Sequence, residues 1–300
     1  MPAVWSVGTV LLLTFGIQSC VADESIEGTQ QLCIVEDREI GEASGMAVSL
    51  ENRDHIWIHN DSGDSARLFL INRQGTTVAI VSLAQIKPVD WEDLCSFTIN
   101  DEHWLLIADI GDNSRTRTAD RNPCRLILLR EPKLELPSSP GRSVVQNLTL
   151  EPTTILEISY PDGPSDCESV AVDATRQQIL FVTKTDPLNC QLLRTKLIRE
   201  SGFHQAELES VSRPGVPFAT AMDISRDGHR MLICSMFMGV ILQRDREGDW
   251  DAATVQSLKL PPRRQGETSC FDTDESFALF GSEGVRQPLW RIRVMPSPEK

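Results

Sequence analysis

Short apolar runs separated by polar turns dominate the chain. HIWIHN (55–60), WLLIAD (104–109), ILFVTK (179–184), MLICSM (231–236) and FALFGS (277–282) alternate with Gly-, Asp- and Asn-rich segments. Runs this short, rich in Ile, Val, Leu and Phe, read as β-strands. No stretch of about 12 residues keeps a helical period. The 17 prolines are scattered along the chain and oppose helices further. The expected class is all-β.

The runs repeat. Five segments open at Glu42, Glu92, Glu168, Thr220 and Glu267, at intervals of 50, 76, 52 and 47 residues. Each has a polar opener, a short strand, a polar turn and a second apolar strand. Each closes on polar residues: Asn60-Asp61, Asp109, Lys184, Ser235 and Ser282-Glu283. A repeat of ~40–50 residues built of short strands is the signature of a propeller blade. The interval of 76 also holds CRLILLRE (124–131) and TTILEISY (153–160), which read as a degenerate extra unit. The expectation is a single β-propeller over residues 23–300, six-bladed, with five or seven blades as alternatives. The last strand, PLWRIRV (288–294), is expected to share a blade with the N-terminal strand and so close the ring. A β-sandwich would not explain a polar residue at the same place in each repeat.

Composition narrows the partners. The net charge is −14, from 29 Lys+Arg against 43 Asp+Glu, with a pI near 4.8. A nucleic-acid binder carries a basic patch or stripe, and none is present. Residues 1–22 hold no charged side chain, and VGTVLLLTFGI (7–17) is too short to span a bilayer. Residues 1–22 therefore read as a signal peptide, with Cys20-Val21-Ala22 before the cut. Ile17-Gln18-Ser19-Cys20 also resembles a lipobox, so periplasmic, extracellular and Cys20-anchored forms stay open. No later stretch approaches the roughly 18 apolar residues of a membrane helix.

Eight cysteines follow no zinc spacing. Cys167 and Cys190 flank one hairpin, whose rims meet, so a 167–190 disulfide is expected. Cys95 and Cys270 share a repeat offset with Gly45 and Ala171, which marks them as small buried residues.

In a hairpin the start of the first strand lies beside the end of the second. If each repeat is the inner pair of a blade, openers and closers all face one central mouth. Glu42, Asp61, Asp90, Glu92, Asp109, Asp112, Asn113, Glu168 and Glu267 are then the expected metal ligands. Crowded carboxylates resist ionising together unless a cation or basic side chains intervene. Hard oxygen donors suit Ca²⁺, which takes about six to eight oxygens; other divalent cations are alternatives. Arg115, Arg117 and Lys184 are the expected contacts for an anionic substrate, and Glu92 and Glu168 the groups that move a proton. Asn60-Asp61-Ser62-Gly63-Asp64 and Asp109-Ile110-Gly111-Asp112-Asn113 are also good turn formers, whose acids can cap the turn instead. The five His share no spacing, and no G-x-S-x-G elbow marks a serine hydrolase.

EASGMA (42–47), NDSG (60–63), DWEDL (90–94), IADIGDN (107–113) and DCESVA (166–171) together resemble secreted bacterial β-propellers of the phytase-like group, the "esterase-like activity of phytase" type. The architecture is similar to SMP-30/gluconolactonase propellers, whose mouth holds a divalent metal. The resemblance implies a propeller and either of two functions. One is a metal-dependent hydrolase of phosphoesters or lactones. The other is a non-catalytic propeller with a structural cation and a protein or glycan partner.

Overall fold

The computed structural model describes residues 28–136, 145–184 and 190–294. The expected signal segment 1–22, with Cys20, lies outside them. Strand β1 (Thr29–Ile34) comes first and is used last. Strands β2 (Ala43–Val48), β3 (His55–Asn60), β4 (Arg67–Asn72) and β5 (Thr77–Leu83) form an antiparallel meander, the first blade. Strands β6 (Trp91–Ile99), β7 (Glu102–Asp109) and β8 (Cys124–Arg130) begin the second blade. The chain then doubles back, so that β9 (Gln146–Leu150) lies parallel to β5, before β10 (Thr154–Ser159) completes blade two beside β8. Strands β11 (Cys167–Asp173), β12 (Gln178–Thr183) and β13 (Leu192–Lys196) start blade three. A second return places β14 (Gly202–Glu207) parallel to β10, and β15 (Glu209–Ser212) finishes blade three. Blade four is β16 (Ala219–Ile224), β17 (Arg230–Ser235), β18 (Gly239–Gln243) and β19 (Thr254–Leu258). Blade five is β20 (Ser269–Phe271), β21 (Phe277–Phe280) and β22 (Pro288–Arg293), with β1 paired to β22 as its outer strand.

The described residues therefore form a five-bladed propeller, closed by its N-terminal strand as expected. The five hairpins of the sequence are the five inner strand pairs. Among the described residues there is no sixth blade, and the expected six-bladed form gives way to the five-bladed alternative. CRLILLRE and TTILEISY supply β8 and β10, the third and fourth strands of blade two, and β9, which lies between them in the chain, adds to the sheet of blade one.

Apolar layers fill the seams between blades. Trp57, Leu68, Leu105 and Ile127 pack between blades one and two. Leu106, Leu128, Val170 and Phe181 pack between blades two and three. Met222, Leu242 and Trp250 join blades three and four. Cys33 of β1 packs with Ile71 and Leu279 at the closing seam. Burying such side chains on both faces of each sheet is why the inner strands read as nearly continuous apolar runs. Below the first blade, the buried Glu131 accepts from Trp57 Nε1 at 2.7 Å and from the Leu50 and Glu51 amides, which ties blade two to blade one.

The axis is narrow enough for one side chain to cross it. Asp93 Oδ2 accepts the amides of Val170 in blade three (2.8 Å) and Met222 in blade four (3.1 Å), while Oδ1 accepts Leu94 N. Asp223 ties blade four to blade five by accepting Phe271 N at 2.8 Å. Burial pushes both carboxyls up, Asp223 to about 7, against the amides that stabilise their charge. His59, wholly buried, lies over Gly45, where a Cβ would collide with its ring. That explains the glycine at this position; the bulge places it level with Asp93, so it does not share a structural position with Cys95 as the sequence offset suggests. Among the described residues no helix is long and apolar enough to cross a membrane.

Candidate functional site

Four of the five inner strands bulge at one level. Their register breaks at Ala43/Gly45, Trp91/Asp93, Cys167/Val170 and Ala219/Ala221. A bulge inserts an unpaired residue and re-aims its side chain. The residues so placed include Ser44, Glu92, Glu168 and Thr220. Glu92 and Glu168 thus reach the mouth as the repeat pattern expects. In blade one the bulge falls on Ser44, two residues past Glu42. Glu42 is exposed outside it, and Ser44 Oγ donates instead to the Glu92 carbonyl at 2.6 Å.

Asp61 follows β3 and Asp90 precedes β6. One carboxylate oxygen from each of Asp61, Asp90 and Glu92 lies within 4.8 Å of the others. Gly111, in the turn after β7, donates to Asp90 O at 3.2 Å, and a Cβ there would overlap both the Glu92 and Asp90 carboxylates. The loop is held by residues the sequence marks as ligands. Asp109 accepts the amides of Val89 and Asp90 and pairs with Arg117 Nη2 at 2.8 Å. Asp112 accepts Thr116 N and Arg117 N. Arg117 also spends its donors on the carbonyls of Gly111, Asn122 and Pro123. Asp109, Asp112 and Arg117 therefore build the loop through hydrogen bonds within it, and Asp109 and Arg117 lie close enough for their charges to act on Asp90. Asn113 and Arg115 lie exposed on it. Asn60 and Asp64 are likewise engaged, with each other, and Asp64 pairs with Arg67 at 2.9 Å.

Glu168 forms an ion pair with Lys184, the closer of the same hairpin. The electrostatics show how crowded the mouth is. Burial, then the charge of Asp61 and a hydrogen bond with it, pushes Asp90 up to about 7. Burial, then Glu168, Asp61 and Asp90, pushes Glu92 well up. Glu168 rises to about 8 through burial, in spite of Lys184. Burial raises Glu267, and burial with Glu267 and Asp61 raises Glu283 to about 7. Burial disfavours the Lys184 ammonium, but Glu168, Glu267 and Glu92 outweigh it and raise Lys184. The mouth thus brings together Asp61, Asp90, Glu92, Glu168, Lys184, Glu267 and Glu283, from blades one, two, three and five. Blade four contributes the neutral Thr220, whose hydroxyl donates to Gly266 O at 3.1 Å.

The structure has no disulfide between Cys167 and Cys190. Cys167 Sγ donates to Val182 O at 3.3 Å and packs in the seam between blades two and three. Cys190 is buried in the seam on the other face of the same sheet. The two thiols thus lie in different seams, on opposite faces of one sheet, which their distance in sequence does not reveal.

No model of a known protein family matches the chain, and no curated protein matches it in sequence. Solved structures similar to it include an auxiliary nutrient binding protein from Bacteroides thetaiotaomicron, at 10% identity, 84% coverage of this chain and 69% of that chain, with a TM-score of 0.47. A gluconolactonase from Xanthomonas campestris aligns at 11% identity, 87% and 88% coverage, and a TM-score of 0.46. The Pan2 WD40 domain from Neurospora crassa aligns at 11% identity, 91% and 97% coverage, and a TM-score of 0.44. At these scores blade number, site and chemistry rest on the sheets and side chains above, and the phytase-like resemblance rests on the sequence motifs.

Proposed function

We propose that the mouth of this propeller holds one divalent cation between Asp61, Asp90 and Glu92, and hydrolyses a neutral ester or lactone beside it. The observation that carries this reading is the convergence of those three carboxylates to within 4.8 Å. Burial raises both Asp90 and Glu92, and the charge of Asp61 raises both further, so their carboxylate forms call for a positive partner. The charges of Arg117 and Lys184 reach Asp90 and Glu92, but each is ion-paired with another acid, Lys184 with Glu168 and Arg117 with Asp109, and burial still leaves Asp90 and Glu92 raised. An all-oxygen donor set of carboxylates suits calcium, and the glycine at position 111 keeps the space beside Asp90 and Glu92 open. A cation held there supplies a Lewis acid for a carbonyl oxygen and eases ionisation of water.

The chain's own residues do the rest. Glu168, held by Lys184 at the mouth, is the group that takes and returns a proton; burial raises it above the ordinary carboxylate range, toward the pH at which a carboxyl can both accept and return one. Ser44 holds the Glu92 backbone, and the Arg117-braced loop holds Asp90. The surplus of acids over bases favours a neutral carbonyl substrate over a phosphoester, because Arg117 is spent inside its loop. The test is hydrolysis of γ- and δ-lactones and aryl esters by chelator-stripped protein, with and without added Ca²⁺. Turnover that needs Ca²⁺ and falls by about a hundredfold or more in Glu168→Gln supports the reading. Calcium binding without turnover of any of them would leave a structural cation in a binding propeller.

A further inference from the structure

The acids of the mouth are unevenly distributed. Blades one, two, three and five each bring a carboxylate, while blade four brings Thr220. The rim of blade four carries large apolar side chains instead. Phe218 immediately precedes β16, and Met236 and Phe237 immediately follow β17, whose last pair is Ala219 with Ser235. Their exposures are 38%, 39% and 75%, high for residues of this size. Phe237 N and Met238 N both donate to Ser235 Oγ, which fixes the turn that presents them. Phe218 has a φ of 54°, and among the described residues it is the only aromatic with positive φ; the others, glycine aside, are Asp, Asn, Gln and Arg. A bulky residue in the left-handed region costs backbone energy, so a ring held outward there needs a reason.

The position supplies one. In a ring of five, blade four stands across the axis from the seam between blades one and two. That seam is where Asp61, Asp90 and Glu92 meet. The reach is short, since Asp93 of blade two bonds directly to Met222 of blade four. We infer that Phe218, Met236 and Phe237 form an apolar wall that receives the hydrocarbon part of the substrate, so that the preferred ester or lactone bears an alkyl or aryl group of several carbons. This rests on the ester or lactone reading of the mouth. The acids that face the wall would repel an anionic group, so a neutral molecule, polar at the carbonyl and apolar at its other end, matches both sides.

The experiment compares γ-butyrolactone with γ-nonalactone. A half-buried methylene adds about twofold to kcat/KM, so wild type is expected to favour the longer substrate by roughly 30-fold. Phe237→Ser and Phe218→Gly should each cut that preference by about fivefold. Phe218→Gly suits the backbone it replaces, and its melting temperature should not fall. Phe203→Ser, at an exposed position on β14 away from the mouth, should leave the preference unchanged. Binding of γ-nonalactone is read in parallel by saturation-transfer NMR. Binding that depends on Phe237 without turnover keeps the wall and removes the hydrolase. Turnover with the same chain-length ratio in every variant removes the wall and keeps the hydrolase. Neither binding nor turnover overturns the inference.

Discussion

The amide of Gly111 donates to the carbonyl of Asp90 at 3.2 Å, and this bond seats the Gly111 Cα against the carboxylates of Asp90 and Glu92. The space beside the acids is thus set by a residue without a side chain. Gly111→Ala must displace one or both carboxylates. It is expected to weaken Ca²⁺ binding about tenfold or more, since misplaced ligands cost affinity directly. Titration calorimetry of the folded variant checks this, and unchanged affinity would separate Gly111 from the site.

The axis gives a second expectation. Asp93 accepts three backbone amides from blades two, three and four. Asp93→Ala leaves all three without that acceptor in the interior. At about 1–3 kcal/mol for each unsatisfied group, the loss should reach at least about 3 kcal/mol. Urea denaturation measures it, and a loss below about 1 kcal/mol would mean the axis is tied elsewhere.

Stability should also depend on pH in a direction set by the mouth. Glu283 and Asp90 are pushed up to about 7 and Glu168 to about 8, while unfolded carboxyls titrate near ~4. A carboxyl raised in the folded state holds a proton that the unfolded chain has released. Stability is therefore fully present below the unfolded pKa and is lost as pH rises through the folded values. Asp272 acts oppositely. Its burial is outweighed by Arg73 and Arg291, and its contribution is lost only as pH falls below the ordinary carboxylate range. In chelator, the melting temperature should fall from pH 5 to pH 8, and added Ca²⁺ should recover more of it at pH 8. A melting temperature that rises across this range in chelator would contradict the crowded mouth.

The two thiols of blade three give a simple chemical check. Cys167 and Cys190 lie in different seams. Alkylation of the protein unfolded without reductant should label both, and mass spectrometry reads the result. Unlabelled thiols that become labelled only after reduction would show a disulfide.

How far the sequence carried differs from residue to residue. The five inner strand pairs were legible because each repeats the same opener, turn and closer, and the closing strand was legible because a propeller must pair its last strand with its first to leave no open edge. Blade number was not. CRLILLRE and TTILEISY look like a unit of their own, and only the pairing of β8 with β7 and of β10 with β8 assigns them to blade two. Glu92 and Glu168 stand at the opening position of their repeats, which is what points them to the mouth in sequence; that the strand bulges there is visible only in the pairing. Ser44 was missed because the first repeat opens two residues early, at Glu42. For Asp109 and Asp112 the sequence left two readings open, because an acid that caps its own turn and an acid that faces a ligand have the same sequence signature; the loop hydrogen bonds are what only the structure supplies. Gly111 had no signal beyond turn composition. Its role is a close approach between loop and strand, which the linear order does not contain.

The most direct measurement is calorimetric titration of chelator-stripped protein with Ca²⁺, for wild type, Glu92→Gln and the remote Glu275→Gln. One saturable site per chain in wild type and Glu275→Gln, weakened at least about tenfold in Glu92→Gln, is the expected result. No saturable binding of Ca²⁺, Mg²⁺ or Mn²⁺ in wild type, or equal affinity in all three proteins, would contradict a cation site at the mouth.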